Sequence, residues 1–383
     1  MTFLFVLSLA GFASSVNLRS VDPMLPAIAA DFGITLGRAA LLASAYSFPY
    51  AIMQVVLGPI GDAIGKTRLI RLSLAVLSLS LAVSAVAPNY PVALVARALA
   101  GVFAGGIVPV AMALIGDRVA LAERQPALSR FVVATIVGQL FGAAASGLLA
   151  STVSWRAVFA LAALFVAGAW LATLLRLDGE GEVRHRLTLA RGLLGYRAVL
   201  ANPASTLAFA ATACEGALFF GLFPFVAPML AGRGAPGTLA AGIAIAAFGI
   251  GGVLYGLVVR RLVKTLGQWQ MMRLGGLVAA ASYLGLAVPL PWESAILCFL
   301  VLGFGFYMVH NTLQTLATEL APGARGSALA LFASCFFLGQ GIGPAAGGAV
   351  SRAVGYGPLF IGAAALTGLL GMGAAAAIRR RLP

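Results

Sequence analysis

Glu215, in the run Ala211-Thr-Ala-Cys-Glu215-Gly-Ala-Leu-Phe-Phe, is the one acid that lies deep inside a long apolar stretch. A carboxyl group so placed can take up and release protons, and ionisable groups inside apolar spans mark functional sites by default. The structural alternative is a permanently paired Glu215, bonded to Arg97 or to a hydroxyl group. Tyr307, His310, Asn311 and Gln314 follow the i, i+3, i+4, i+7 spacing that puts four polar groups on one face of a helix. His310 reads either as a proton shuttle or as a neutral imidazole with one hydrogen-bond partner. Tyr46, Tyr50 and Gln54 share a face in the same way. Arg97 sits a turn or two inside another apolar run, at a cost of about 2.5 kcal/mol or more if that run crosses a bilayer, so it must face a cavity or a partner. Asn17 and Arg19 approach the same region from the first run, with Asp22 one turn beyond Arg19.

The elements that position these groups follow from composition. The 383 residues are 61% hydrophobic and 9% charged, far below the charged fraction of about 25% in soluble domains. Apolar runs of about 20 residues, the length that crosses a bilayer as a helix, recur about twelve times. They do not alternate apolar and polar residues, which excludes a β-barrel. The first span is expected from about Thr2 to Pro26, closed by prolines with Asp31 and Gly33 in an outer loop. It lacks the basic leader of a secretory signal and is retained as a span. The formal charge of +14 follows topology rather than nucleic acid. Nineteen of the 25 basic residues fall in alternate connections, five fall on the other side, and Arg97 is within a span. The bias places both termini in the cytosol. Cys214, Cys298 and Cys335 all lie in apolar runs without metal-ligand spacing, and read as small core residues.

A polar break from 179 to 202, rich in charge from Asp178 to Arg197, divides the chain into expected units of 1–178 and 203–383. The two units repeat. At an offset of 201, Gly138-Gln139-x-x-Gly142-x-Ala-Ala-x-Gly147 returns as Gly339-Gln340-x-x-Gly343-x-Ala-Ala-x-Gly348, and Arg124, Trp155 and Phe159 return as Arg325, Tyr356 and Phe360. Small residues at this spacing allow close helix packing, and Pro344, Gly347 and Gly348 extend the pattern in the second copy. The first unit holds a charged hinge, Gly58-Pro-Ile-Gly-Asp62-Ala-Ile-Gly65-Lys66-Thr-Arg68, whose glycines permit a sharp turn. Gly256-Leu-Val-Val-Arg260-Arg261-Leu-Val-Lys264 is expected to be its second copy, with Arg260 in place of Asp62.

The hinge resembles the G-x-L-A-D-R-x-G-R-K loop of the major facilitator superfamily, through Gly58, Asp62, Gly65 and Lys66, with Ala63 and Thr67 departing from it. Arg97-Ala-Leu-Ala-Gly101 resembles the R-x-x-x-G motif of that superfamily's fourth helix, and Trp155-Arg156-Ala-Val-Phe159 its W-R-x-x-F. The resemblance implies an all-α membrane protein of about twelve spans in two six-helix bundles, with a substrate site between them near mid-membrane. It is nearest the drug or metabolite/proton efflux branch. It implies export of a small organic compound in exchange for protons, with Glu215, Arg97 and His310 in proton coupling. Asn17, Arg19, Tyr46, Tyr50, Gln54, Gln139, Tyr307, Asn311, Gln314 and Gln340 would line the cavity. Asn17 is neutral where many antiporters carry an acid, and Ala143 replaces the proline of the fifth-helix antiporter motif. A proton-coupled uptake symporter or uniporter and a non-transporting sensor remain as alternatives. No catalytic constellation, cofactor site, metal cluster or phosphate-binding loop is present in the sequence, and the expected partners are a small-molecule substrate, protons and the bilayer, with the chain acting as a monomer in a prokaryotic inner membrane.

Overall fold

In the computed structural model, residues 2–179, 189–235 and 237–380 are described. Among them the secondary structure is helical throughout. The first span is α1 (Thr2–Arg19), a buried 3-10 turn at Asp22–Met24 and α2 (Leu25–Phe32). It therefore continues past Pro26. Pro23 and Pro26 stand second in short helices, within the first turn where their missing N–H groups cost nothing, and the stop comes at Gly33 with φ 61°. The remaining spans of the first bundle are α3 (Leu36–Ile64), α4 (Lys66–Ala85), α5 (Tyr90–Arg118), α6 (Leu121–Thr152) and α7 (Trp155–Arg176). Asn89 and Ser154 cap α5 and α7 by accepting from the N–H groups of Val92 and Ala157. The break between bundles contains a helix of its own, α8 (Leu189–Leu200). Glu180, Gly181, Glu182, Arg184, His185 and Arg186 lie outside the described residues.

The second bundle holds α9 (Ser205–Phe219) and α10 (Val226–Ala231), then α11 (Gly237–Ala287), α12 (Ser294–Leu320), α13 (Arg325–Val354), α14 (Tyr356–Leu369) and α15 (Ala375–Arg379), the last two joined by a π turn. Among the described residues, eleven helical stretches are long and apolar enough to cross a membrane. One of them, α11, has 51 residues, about 75 Å of helix against a hydrocarbon core of about 30 Å, and breaks at Gly267 (φ 69°, ψ 164°). It crosses twice, which gives twelve crossings and returns both ends to one face.

Gly267 also corrects the second hinge. The turn in the first bundle is at Gly65 (φ 100°), and Gly267 stands 202 residues on, while Gly256 is an ordinary helical residue of α11. A positive φ is what only glycine accepts cheaply, so the turn glycines set the register. Lys264, not Arg260, then occupies the position of Asp62.

The repeat is explicit in the helix contacts. In the first bundle Gly138 and Gly142 of α6 lie against the carbonyls of Phe12 and Val16 on α1. In the second, Gly339 and Gly343 of α13 lie against those of Ala213 and Ala217 on α9, 201 residues on at both partners. Gly101 of α5 meets the carbonyl of Tyr46 on α3, and Gly303 of α12 meets that of Phe248 on α11, at an offset of 202. One level differs: Gly105 on α5 lies against the main chain of Tyr50 on α3, whereas Gly252 on α11 lies under the ring of Tyr307 from α12. Gly142→Leu and Gly339→Leu are expected to lower stability by about 1–3 kcal/mol through overpacking. Gly168→Leu, where a Cβ meets nothing within 4 Å, should leave the melting temperature of purified protein unchanged.

Candidate functional site

Two apolar cavities, of about 650 and 640 Å³, lie in related places, between α1, α6 and α7 and between α9, α13 and α14. Neither is lined by a charged residue, so the chemistry resides elsewhere. There are two buried polar clusters, one reaching from the first bundle to the second and one within the second.

The first cluster is built on α1, α3 and α5. Arg97, 1% exposed, stacks its guanidinium 4.4 Å from the centre of the Tyr46 ring and donates from Nε to the carbonyl of Leu42 at 3.4 Å. Its Nη1 and Nη2 have no hydrogen-bond partner, and neither does the Tyr46 hydroxyl. Arg19 pairs with Asp22 at 3.4 Å, and Asp22 also lies in the field of Arg97. Asn17 donates to the carbonyl of Ala13 on its own helix, at 2.8 Å. Arg19 reaches across to the other bundle. It donates to the Gln340 amide oxygen and to the carbonyl of Phe220 (3.5 Å), and its guanidinium lies 4.2 Å from the centre of the Phe220 ring. Cation–π contacts of this kind contribute about 0.5–2 kcal/mol each and offset part of the cost of burying the charge.

The second cluster is on α9 and α12. Glu215, fully buried, meets His310 at 3.2 Å between Oε2 and Nδ1, while its Oε1 has no partner. The imidazole is surrounded by the rings of Phe306, Phe336 and Phe332 at 4.8–5.1 Å. Glu215 is ten residues, about 15 Å, from the start of α9, and His310 is equally far from the end of α12. The partner of Glu215 is thus His310 and not Arg97, which belongs to the first cluster.

The polar stripe on α12 divides. His310 turns to Glu215, Tyr307 packs against Gly252 and Tyr255, and Asn311 lies beside the Tyr255 hydroxyl on α11. Gln314 is exposed. Tyr50 stacks on Tyr46, lies beside Gln54 and meets Phe337 of α13 at 4.2 Å. Gln340 is buried on Arg19, whereas its repeat mate Gln139 is half-buried. At the hinge Lys66 pairs with Asp117 at 2.8 Å and Arg68 is exposed. The surroundings of Gly58 and of the Asp62 side chain lie outside what the structure describes. On α8, beyond the spans, burial pushes the Tyr196 phenol above its ordinary value while its hydroxyl donates to the carbonyl of Val55.

Two features escaped the sequence reading. Asp22 entered only as a neighbour of Arg19, although an acid before a proline inside the first span was a visible signal. The other is what the repeat does to the first cluster. Arg19 and Asp22 become Phe220 and Phe223 at offset 201, and Tyr46 and Arg97 become Phe248 and Phe299 at offset 202. All four phenylalanines are in ring contact with one another through Phe223, at 5.0–6.0 Å. Reading the repeat at its polar positions would have shown this.

Among the described residues, the hydrogen bonds and ring contacts that join the bundles run from the outer ends to mid-membrane. Besides Arg19 and Tyr50 they include Ser44 donating to the carbonyl of Gly341 at 2.7 Å and Thr238 donating to that of Gly147 at 2.8 Å. At the outer end a Cβ at Gly348 would lie 3.5 Å from the Cα of Gly37, and those at Gly147 and Gly242 would be as close to each other's backbone. The outer half is closed.

Two six-helix bundles related by a repeat, with buried ionisable groups at their junction, define a secondary transporter. The chain belongs to the Major Facilitator Superfamily, whose model matches residues 7–344. It is 24% identical to the uncharacterized MFS-type transporter YwfA of Bacillus subtilis over 94% of this chain and 88% of that one. It is 26% identical to a chloramphenicol resistance protein of Streptomyces lividans, over 89% of this chain and 87% of that one. Among solved structures, the nucleoside transporter NupG superposes with a TM-score of 0.80 at 14% identity, covering 99% of this chain and 100% of that one. Gly37→Cys combined with Gly348→Cys is expected to form a disulfide on mild oxidation once Arg352, whose guanidinium occupies the place of a Cβ at residue 37, is shortened by Arg352→Ala. A mobility shift after proteolysis between the bundles reads it out, and reductant should abolish the shift.

Proposed function

We propose that the chain exports a small organic compound in exchange for protons, by rocking of units 1–178 and 203–383 around the two clusters, with 179–202 as the linker. The observation that carries this reading is the Glu215–His310 pair, a carboxylate and an imidazole that share one contact inside an otherwise aromatic surround. A proton arriving from the outer side has two acceptors there, Glu215 Oε1 and the imidazole, and among the described residues no other ionisable side chain makes a contact with the pair. Arg97 belongs with Asp22 and Tyr46 as an electrostatic support rather than as the modulator of Glu215. Tyr50, with Gln54 beside it, faces the junction as a contact to substrate, and Tyr307 and Asn311, now packed on α11, join it as contacts when the bundles move. The resistance protein among the relatives favours the outward direction, and bacterial relatives favour a prokaryotic cytoplasmic membrane.

Closure of the outer half fits one end of the cycle, in which the site is served from the cytosolic side. The hinge pair Lys66–Asp117 and the contacts of Arg71, which donates to the carbonyl of Thr173 at 3.0 and 3.2 Å, tie helix ends within the first bundle and so let it move as one body.

Glu215→Gln keeps the shape and hydrogen-bonding capacity of the side chain and removes its titration. In proteoliposomes under an imposed proton gradient, the variant is expected to lose accumulation of substrate against its own gradient by tenfold or more, while retaining downhill exchange. Unchanged coupling would remove Glu215 from the role, and accumulation on the side from which protons leave would establish uptake in place of export.

A further inference from the structure

Arg19 is rooted in the first bundle, yet most of what holds its guanidinium belongs to the second. On that side it faces the Phe220 ring at 4.2 Å, the Phe223 ring at 5.5 Å, the Phe220 carbonyl at 3.5 Å and the Gln340 amide oxygen. Phe220 is also the repeat mate of Arg19, 201 residues on, so a side chain of one bundle has crossed to its own counterpart in the other. The niche contains two aromatic faces and two oxygen acceptors. Gln340 is 2% exposed and its oxygen is spent on Arg19. Asp22 adds a carboxylate at the rim, whose Oδ1 is buried and has no partner. π faces with oxygen acceptors attract a cation and offer nothing to an anion.

The niche lies where the bundles must part if the outer half is to open, and Arg19 leaves with its own bundle when they do. We propose that this niche is the subsite for the cationic group of the transported compound, a guanidinium, amidinium or aryl-substituted ammonium, and that Arg19 is its built-in competitor. The proposal rests on the transport reading above for its role in a cycle, but not for the binding itself. Filling of the niche by a cation and closure of the outer half through Arg19 then exclude each other. A cation arriving from the cytosolic side displaces Arg19 and loosens the outer contacts. After release, Arg19 refills the niche as the outer half closes, which keeps the exported cation from riding back. The coupling is reciprocal, as any linkage between binding and a conformational equilibrium must be.

The test is equilibrium binding to purified full-length protein, without a gradient, using benzylguanidinium and its neutral near-isostere benzylurea. Arg19→Gln is expected to bind benzylguanidinium about tenfold or more tightly than wild type, with benzylurea unaffected. Adding Phe220→Leu to that variant should abolish the gain. Gln340→Leu added to Arg19→Gln, which removes an acceptor where no competitor uses it and leaves both rings, should weaken benzylguanidinium binding at least fivefold relative to Arg19→Gln alone. Thermal unfolding of each variant establishes that it is folded, and Arg19→Lys, which keeps the competing charge, should stay within about twofold of wild type. Equal or weaker binding by a folded Arg19→Gln, or equal binding of the cation and the urea, would overturn the subsite. If Arg19→Gln does not fold, equal binding of benzylguanidinium and benzylurea by wild type overturns it by itself. Tight binding as described together with no flux in proteoliposomes would instead count against the transport reading and leave the subsite standing.

Discussion

Two guanidinium groups buried in the outer half constrain everything around them. Neither Arg97 nor Arg19 can be left bare in hydrocarbon, and no full set of carboxylates is there to meet them: one acid, Asp22, pairs with Arg19 and lies in the field of Arg97. The shortfall is covered by aromatic faces and backbone carbonyls, from Tyr46 and Leu42 for one arginine and from Phe220 for the other. Because Phe220 belongs to the opposite bundle, satisfying Arg19 draws the two halves together. A need internal to one side chain thus becomes a contact between domains. Removing one member of such a buried ionic set typically costs about 3–5 kcal/mol, more than most surface contacts between moving bodies contribute.

Duplication explains why the halves fit and divergence explains why they work. The glycine contacts that set the distance between helices recur at the same offsets on both partners, so the scaffold is copied closely. The charged positions are not. The cluster of Arg19, Asp22, Tyr46 and Arg97 is matched by four phenylalanines, while Glu215 and His310 are matched by Ser14 and Val108. Each bundle therefore carries one ionisable centre, at a depth where the other carries none, and the junction presents unlike walls to whatever passes between them.

Much of this was legible beforehand. Composition and the length of the apolar runs define a polytopic helical protein, and the glycine-glutamine repeat on α6 and α13 defines its two halves. Arg97 and Glu215 stood out because charge inside an apolar run is costly wherever the fold puts it. What one-dimensional reading did not supply is pairing across elements. Glu215 and His310 are 95 residues apart, and nothing local to either identifies the other. The second hinge was misplaced because Gly256 matched the first hinge by spelling, whereas the turn obeys backbone dihedral angles, to which only Gly267 answers. The prolines of the first span misled for a related reason: a proline stops a helix from its interior but starts one from its first turn.

The level of Gly105 and Gly252 carries an evolutionary constraint. Gly105 admits the main chain of Tyr50, whose ring turns away to Tyr46 and Phe337, whereas Gly252 admits the ring of Tyr307. A Cβ at Gly105 would press on main chain, and one at Gly252 on a side chain that can turn aside. The first glycine is therefore barred from drifting by the spacing of two helix axes, while the second is free to change in any lineage that first trims its facing tyrosine.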